Sequence, residues 1–255
     1  MQQEKATPWI LRFSIFRVPV TIHPMSWVVL AILGGAFGVE DDGDLLRVLV
    51  FVVAAMLVLL VHEFGHALVG RLTGGLVEKV EIAGMGGTTH FGVLPSTRVG
   101  FILMVLAGPL ASLLAGGLFG VVFGLQIGNP WAGLCMAFEM PWVSTLSPGL
   151  QHQLMVGLYT HPMPEFLLRF YTTGMLVCFW WSLFNLLPIF PLDGGKLLGS
   201  VLNNYKLPCV LGVLLCAGLG IWAVLEARWF NVLILGYLGF INWQYLSVFL
   251  RRRSR

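Results

Sequence analysis

The sequence predicts an all-α polytopic membrane protein, a bundle of six transmembrane helices with a small membrane-associated β-hairpin between the second and third spans. Three observations carry that prediction. Only 11% of the 255 residues are charged and 57% are hydrophobic, whereas an ordinary soluble domain carries about a quarter charged residues. The apolar residues fall into six runs close to the roughly 20 residues that a helix needs to cross a bilayer. Between the second and third runs, Val80 and Ile82 alternate with Lys79 and Glu81 ahead of a turn at Gly84, Gly86 and Gly87, a pattern that suits a small hairpin and taken alone suits an ordinary loop equally.

The runs cover about 22–39, 45–70, 99–127, 166–190, 207–227 and 229–250, within one transmembrane domain spanning 1–255. The first is short and broken by glycine, and is the weakest of the six. Basic residues decide the orientation, because Lys and Arg stay on the cytoplasmic side of short loops. With six spans, Lys5, Arg12, Arg17, Arg71, Lys79, Arg98, Lys196, Lys206 and the four arginines of 251–255 share one side, and only Arg47, Arg169 and Arg228 fall opposite. The acidic cluster Glu40, Asp41, Asp42 and Asp44 and the long loop 128–165, which has no Lys or Arg, also lie opposite. An integral membrane protein of the bacterial plasma-membrane type with both termini cytoplasmic is expected. The N-terminal stretch has no clean cleavage-site layout and reads as retained.

Other features read as packing. Gly108, Ser112, Gly116, Gly120 and Gly124 recur every fourth residue in the third run, and small residues at that spacing let helices approach closely in lipid. Cys135, Cys178, Cys209 and Cys216 form no C-x-x-C pair and read as small packing residues. A net charge of +3, with basic residues flanking apolar runs, points to membrane orientation and away from nucleic acid. Loop 128–165, with Trp131, Trp142 and several prolines, reads as interfacial with amphipathic pieces. His23 is expected at the interface, and His152 and His161 in solvated loop.

Chemistry concentrates in two places. Within the second run stands His62-Glu63-Phe64-Gly65-His66. Residues four apart on a helix share a face, so both imidazoles can reach one metal ion with Glu63 beside them as general base. The plainer reading, a buried pair satisfied by neighbours, has to meet the cost of three ionisable groups at membrane depth. A catalytic zinc takes three protein ligands and one open position. Asp193 is the candidate for the third. It follows two prolines and precedes Gly194-Gly195 at the end of the fourth run, at the same expected depth as His62 and His66. Taken alone, Asp193 reads equally well as a cap or turn residue.

These two stretches, His62-Glu63-x-x-His66 and Asn185-x-x-Pro188-x-x-Pro191-Leu192-Asp193-Gly194-Gly195, resemble the paired signatures of the site-2 protease family of intramembrane zinc metalloproteases. Ala107-Gly108-Pro109 and the glycine-rich stretch from Gly84 to Phe91 resemble family features too, and the likeness runs over about 20–250, in the compact six-span branch without PDZ or C-terminal regulatory domains. The resemblance implies one Zn2+ per chain held by His62, His66 and Asp193, water activated by Glu63, and Asn185 polarising the scissile carbonyl or holding substrate. It also implies that the hairpin dips into the membrane and offers an edge to extended substrate, which makes Gly86, Gly87, Thr88 and Thr89 of the hairpin, together with Pro188, the candidate substrate contacts. The expected partners are a transmembrane protein substrate and the lipid bilayer, with room for an inhibitory or regulatory membrane partner. The expected activity is hydrolysis of peptide bonds within or near transmembrane segments, as in regulated intramembrane proteolysis. Two other classes use the same residues: a zinc transporter, and a silent scaffold that keeps the zinc site for stability.

Overall fold

The structure, a computed structural model, describes residues 9–141 and 146–251. Trp142, Lys5 and the arginines of 252–255 lie outside the described residues, as does most of the stretch read as a retained N-terminus. In chain order the elements are β1 (Leu11–Ile15), β2 (Val18–Ile22), α1 (Pro24–Leu33), α2 (Asp42–Leu72), β3 (Leu76–Ala83), β4 (Gly86–Val93), α3 (Arg98–Gln126), α4 (Pro130–Glu139), α5 (Pro148–Thr160), α6 (Glu165–Asn185), α7 (Asp193–Leu202), α8 (Lys206–Leu225) and α9 (Trp229–Arg251). The protein is mostly helical with one small sheet, and it is an integral membrane protein.

Among the described residues four helices, α2, α3, α6 and α8, are long and apolar enough to cross a bilayer. The expected first span is a shorter helix. Ile22 belongs to a strand, Pro24 opens α1, and the helix stops before the Gly34-Gly35 pair after 10 residues, about 15 Å of rise. The expected sixth span is α9. Its 23 residues suffice in length, though it is not among those four.

The helices begin where the sequence offers caps. The Asp41 side chain accepts from the Asp44 N–H, Thr97 from Gly100, and Asn129 from Ala132, each oxygen satisfying one of the N–H groups a helix start leaves unpaired. The small-residue ridge of α3 packs tightly. A Cβ on Gly120 would stand 2.6 Å from the Gly133 carbonyl oxygen of α4, and one on Gly116 would stand 3.0 Å from the Cys178 Cβ of α6. The loop expected over 128–165 folds into α4 and α5, with His152 and His161 exposed.

The expected hairpin is present as β3–β4. Its turn lies at Gly84-Met85, so Gly86 and Gly87 stand in the strand rather than in the turn. It is half of a larger sheet. An N-terminal hairpin joins it, in the order β1-β2-β3-β4, with β2 and β3 parallel and the other pairs antiparallel. The alternating Val18, Val20 and Ile22 of β2 point inward with Val80 and Ile82 of β3, and this face packs on Leu30, Ala55, Met56 and Leu59. The β1–β2 turn is Phe16-Arg17, both left-handed (φ 49° and 62°), where Asn-Gly is the usual choice. It is held from outside, because Arg71 Nη1 donates to the Phe16 carbonyl at 3.1 Å and the Phe16 ring meets Phe64 edge-on.

Candidate metal centre

The candidate centre joins a continuous helix to a broken one. On α2, His62 and His66 lie one turn apart, buried, with ring centroids 4.8 Å apart. Helix α6 ends at Asn185, and the chain turns through 186–192 before α7 opens at Asp193. Two glycines make that return compact. A Cβ on Gly194 would stand 2.1 Å from the Leu186 carbonyl oxygen, and one on Gly195 would stand 2.6 Å from that of Ile189. Asp193 is thereby carried to α2. Its Oδ2 lies 3.0 Å from His62 Nε2 and 3.1 Å from His66 Nε2, and the two nitrogens are 3.2 Å apart.

Hydrogen-bond chemistry tests whether these atoms fit a metal ion. His66 Nδ1 lies 2.8 Å from the Met104 carbonyl oxygen, which can only accept, so Nδ1 carries the proton and the Nε2 of a neutral ring presents a lone pair. That lone pair faces a carboxylate oxygen, which is also an acceptor. His62 Nδ1 rests on Ser112 Oγ at 3.2 Å, turning its own Nε2 to the same point. With Ser112 Oγ accepting from the Nδ1–H, His62 presents Nε2 as a second lone pair, and the three atoms could then hold a metal ion in this buried place. Their spacing of 3.0–3.2 Å approaches the roughly 3.3 Å edge of a tetrahedron with the 2.0–2.1 Å bonds of zinc. The residues fit the ion.

The small-residue ridge on α3, whose spacing predicts packing, also serves the centre. A Cβ on Gly108 would stand 2.3 Å from His66 Nε2, and Ser112 is the partner of His62. Their four-residue spacing marked a packed face but could not say against what. Lys196, three residues after Asp193, donates from Nζ to Asp193 Oδ1 at 3.2 Å, which leaves Oδ2 to the histidines. The Trp181 ring stands edge-on to His62 at 6.3 Å.

Glu63 is 4% exposed, and its environment is the hairpin. Thr89 Oγ1 donates to Glu63 Oε2 at 2.8 Å and approaches its backbone oxygen at 2.9 Å. A Cβ on Gly87 would stand 2.5 Å from Glu63 Cγ, so only glycine admits the carboxylate there. A cavity of about 900 Å³ opens beside these groups, lined by the three candidate ligands, Glu63, Asn185, Gly86, Gly87, Thr88, Thr89 and a largely aromatic wall. Asn185 is buried, with Nδ2 donating to the Trp181 carbonyl at 2.9 Å. Pro188 does not line the cavity, whereas Pro191 does. His23 stands apart, 2.7 Å from Glu81 on β3.

The chain is similar to known proteins in sequence and in fold. The sequence profile of Peptidase family M50 matches residues 50–209, well over half of the chain and all of the centre. A zinc metalloprotease of Methanocaldococcus jannaschii is 25% identical over 195 residues, covering 75% of this chain and 45% of that protein. Stage IV sporulation protein FB of Bacillus subtilis is 24% identical over 215 residues, covering 80% of this chain and 57% of its own length. The chain thus spans about half the length of these curated relatives. The solved structure of the site-2 protease from Methanocaldococcus jannaschii shares the fold, with a TM-score of 0.59 at 20% identity over 93% of this chain and 95% of that one. This chain belongs to peptidase family M50.

Proposed function

We propose that the chain is an intramembrane zinc metalloendopeptidase that hydrolyses peptide bonds of membrane-protein substrates within or near their transmembrane segments. One observation carries this reading. Two imidazole nitrogens and a carboxylate oxygen meet at 3.0–3.2 Å beside a buried glutamate, in a cavity flanked by apolar helices. Family membership and the names of the relatives support the protease over the transporter and the scaffold.

His62, His66 and Asp193 would hold one Zn2+ per chain. Zinc, when bound, polarises a substrate carbonyl and brings the pKa of a coordinated water toward neutrality. The chain's own residues do the rest. Thr89 holds Glu63 Oε2, leaving Oε1 to accept the water proton and pass it to the leaving amine. Asn185 spends one amide N–H on Trp181 and keeps the other to donate to the scissile carbonyl. Strand β4 ends the sheet on the cavity side. An unwound substrate can add to that edge through its backbone, against Gly86, Gly87, Thr88 and Thr89. Pro188 contributes through the shape of the turn between α6 and α7.

The same reading extends to topology, as one metalloprotease domain with six passages of the chain. The N-terminal passage starts at the sheet, where the His23 N–H donates to the Ile82 carbonyl, so a ten-residue helix reaches the side from which α2 begins. Both termini then lie with the basic residues, on the cytoplasmic face of a bacterial-type plasma membrane. A transmembrane substrate and the bilayer are the partners, and a regulatory membrane partner is compatible with the exposed hairpin.

The test is zinc analysis of purified protein alongside co-expression with single-span substrates, comparing wild type with Glu63→Gln. Zinc near one per chain is expected in both, with cleavage falling by about 10²–10⁴-fold in the variant. Cleavage that persists in Glu63→Gln would remove the protease assignment. Zinc uptake into liposomes that survives the substitution would install the transporter in its place.

A further inference from the structure

We propose that Asn242, on α9 and beyond the stretch matched by the family, is a positioning residue of the metal centre. Its carboxamide clamps the backbone of Phe190 and thereby sets where Asp193 stands. The inference rests on the zinc reading above and adds a residue to it.

Asn242 is fully buried in a helix where Phe240, Trp243 and Tyr245 are exposed. An amide at that depth needs its polar atoms satisfied, and each has a partner. Oδ1 accepts from the Phe190 N–H at 3.0 Å, and Nδ2 donates to the Phe190 carbonyl at 2.5 Å and to that of Leu238 at 2.7 Å. Phe190 lies in the turn between α6 and α7, where the helix break removes the regular partners of the backbone. Irregular backbone at membrane depth persists only where protein or a wet cavity satisfies it. Asn242 supplies both missing partners of one peptide-bearing residue, as a neighbouring strand would.

The packing around the clamp is specific to it. A Cβ on Gly212 of α8 would stand 2.3 Å from Asn242 Oδ1, so glycine is the residue that leaves the amide its place. Ile189 is wholly buried against Cys216 and Leu238, and the Phe190 ring meets Tyr245 edge-on at 4.7 Å. From Phe190 the path to Asp193 is short and stiff. The Leu192 N–H donates to the Ile189 carbonyl at 2.9 Å, and Gly195 packs on that same carbonyl group. A displaced Phe190 therefore carries Asp193 Oδ2 away from the histidines. Asn242 touches neither substrate nor metal, and it acts through Asp193.

The test uses the full chain in detergent micelles, with Co2+ and Zn2+ as probes. Three variants are compared: Asn242→Ala, Gly212→Ala, which pushes the amide aside without removing it, and Gly218→Ala on the same helix, where a Cβ meets nothing within 4 Å. In Asn242→Ala, hydrogen exchange over 186–195 rises at least tenfold while exchange over 55–66 stays as in wild type. Cobalt and zinc binding weaken by about 10–100-fold, the usual effect of losing an outer-shell partner, and the cobalt absorption bands shift. Gly212→Ala shows the same changes in lesser degree, and Gly218→Ala shows none. A monodisperse Asn242→Ala protein with wild-type exchange, or with faster exchange and unaltered metal binding, overturns the proposal. Should that variant not yield monodisperse protein, Gly212→Ala decides alone, and wild-type binding and spectrum in it overturn the proposal equally. A wild-type protein that binds neither metal sinks the zinc reading itself, and unchanged exchange over 186–195 in Asn242→Ala then overturns the clamp separately.

Discussion

Helix α2 and the α6–α7 turn bring ligands to one point by opposite means. His62 and His66 are set by the pitch of a single helix, and their neighbours on α3 only choose how the rings turn: Ser112 for one, Met104 O for the other, with Gly108 leaving room. Asp193 has no such local frame. It arrives at the end of a seven-residue irregular turn, and its position depends on several contacts together: Gly194 and Gly195 folding back on the turn, Lys196 on its second oxygen, and α9 behind it. A ligand pair on a regular helix tolerates small disturbances around it. A ligand delivered by a broken helix depends on each contact that holds the break together.

Substitutions can test that contrast, beginning with the largest effect. Asp193→Ala and His66→Ala should each leave the protein folded by circular dichroism but without stoichiometric zinc, and cleavage should fall to background. Zinc retained near one per chain in Asp193→Ala would mean that the helix pair suffices. Gly194→Ala comes next, since its Cβ would meet a backbone oxygen at 2.1 Å that cannot swing away. We expect zinc affinity to drop more than 100-fold, judged by chelator competition, together with a lower melting temperature. Gly108→Ala strikes the α2 side, with a clash at 2.3 Å against an imidazole that can rotate. A loss of about 10–100-fold is expected, with melting close to wild type. If Gly108→Ala proved the more damaging of the two, the contrast would reverse. Ser112→Ala removes one partner of His62 and should cost about tenfold in affinity.

The smallest effect concerns the sheet that carries β4. A hydrogen bond from Lys79, then one from His23 and the nearby charges of Lys79 and His90, hold the Glu81 carboxyl below its ordinary value of 4.5, against the opposing effect of partial burial. A carboxyl depressed on folding stabilises the fold fully above its ordinary value and loses that contribution as pH falls through the lower, folded one. Exchange protection of β3 should therefore be flat from neutral pH down to about 4.5 and decline below it. In Glu81→Gln that decline should be absent, and a decline of equal size would assign it to other groups.

The helical, membrane-bound character of the chain and both halves of the centre were legible from residue order alone. Long apolar runs with few charges have no stable home in water, and His62 and His66 at a spacing of four must share a helix face. Asp193 was legible because two prolines and two glycines announce a break where a carboxylate stands at the right depth. Less legible was the N-terminal hairpin. Its turn is Phe16-Arg17, without the glycine or asparagine that signals left-handed backbone, and it is held by Arg71, which is 55 positions away. The apolar run over 22–39 reads as a short first span because hydropathy registers Ile22 of β2 and the apolar residues beyond Gly34-Gly35 as readily as the ten residues of α1.

Order along the chain thus determined which residues are chemical and which segments are apolar, because both follow from residue type and short spacing. Only the tertiary structure decided how far the break swings Asp193 toward α2, that Thr89 and Gly87 of the hairpin frame Glu63, and that Asn242 of the last helix holds the turn in place. Those contacts join residues between 24 and 131 positions apart, and no local pattern encodes where two distant backbones will meet. In lipid the constraint is stronger still, since a backbone freed from its helix must find a partner, and the fold alone determines which side chain that partner is.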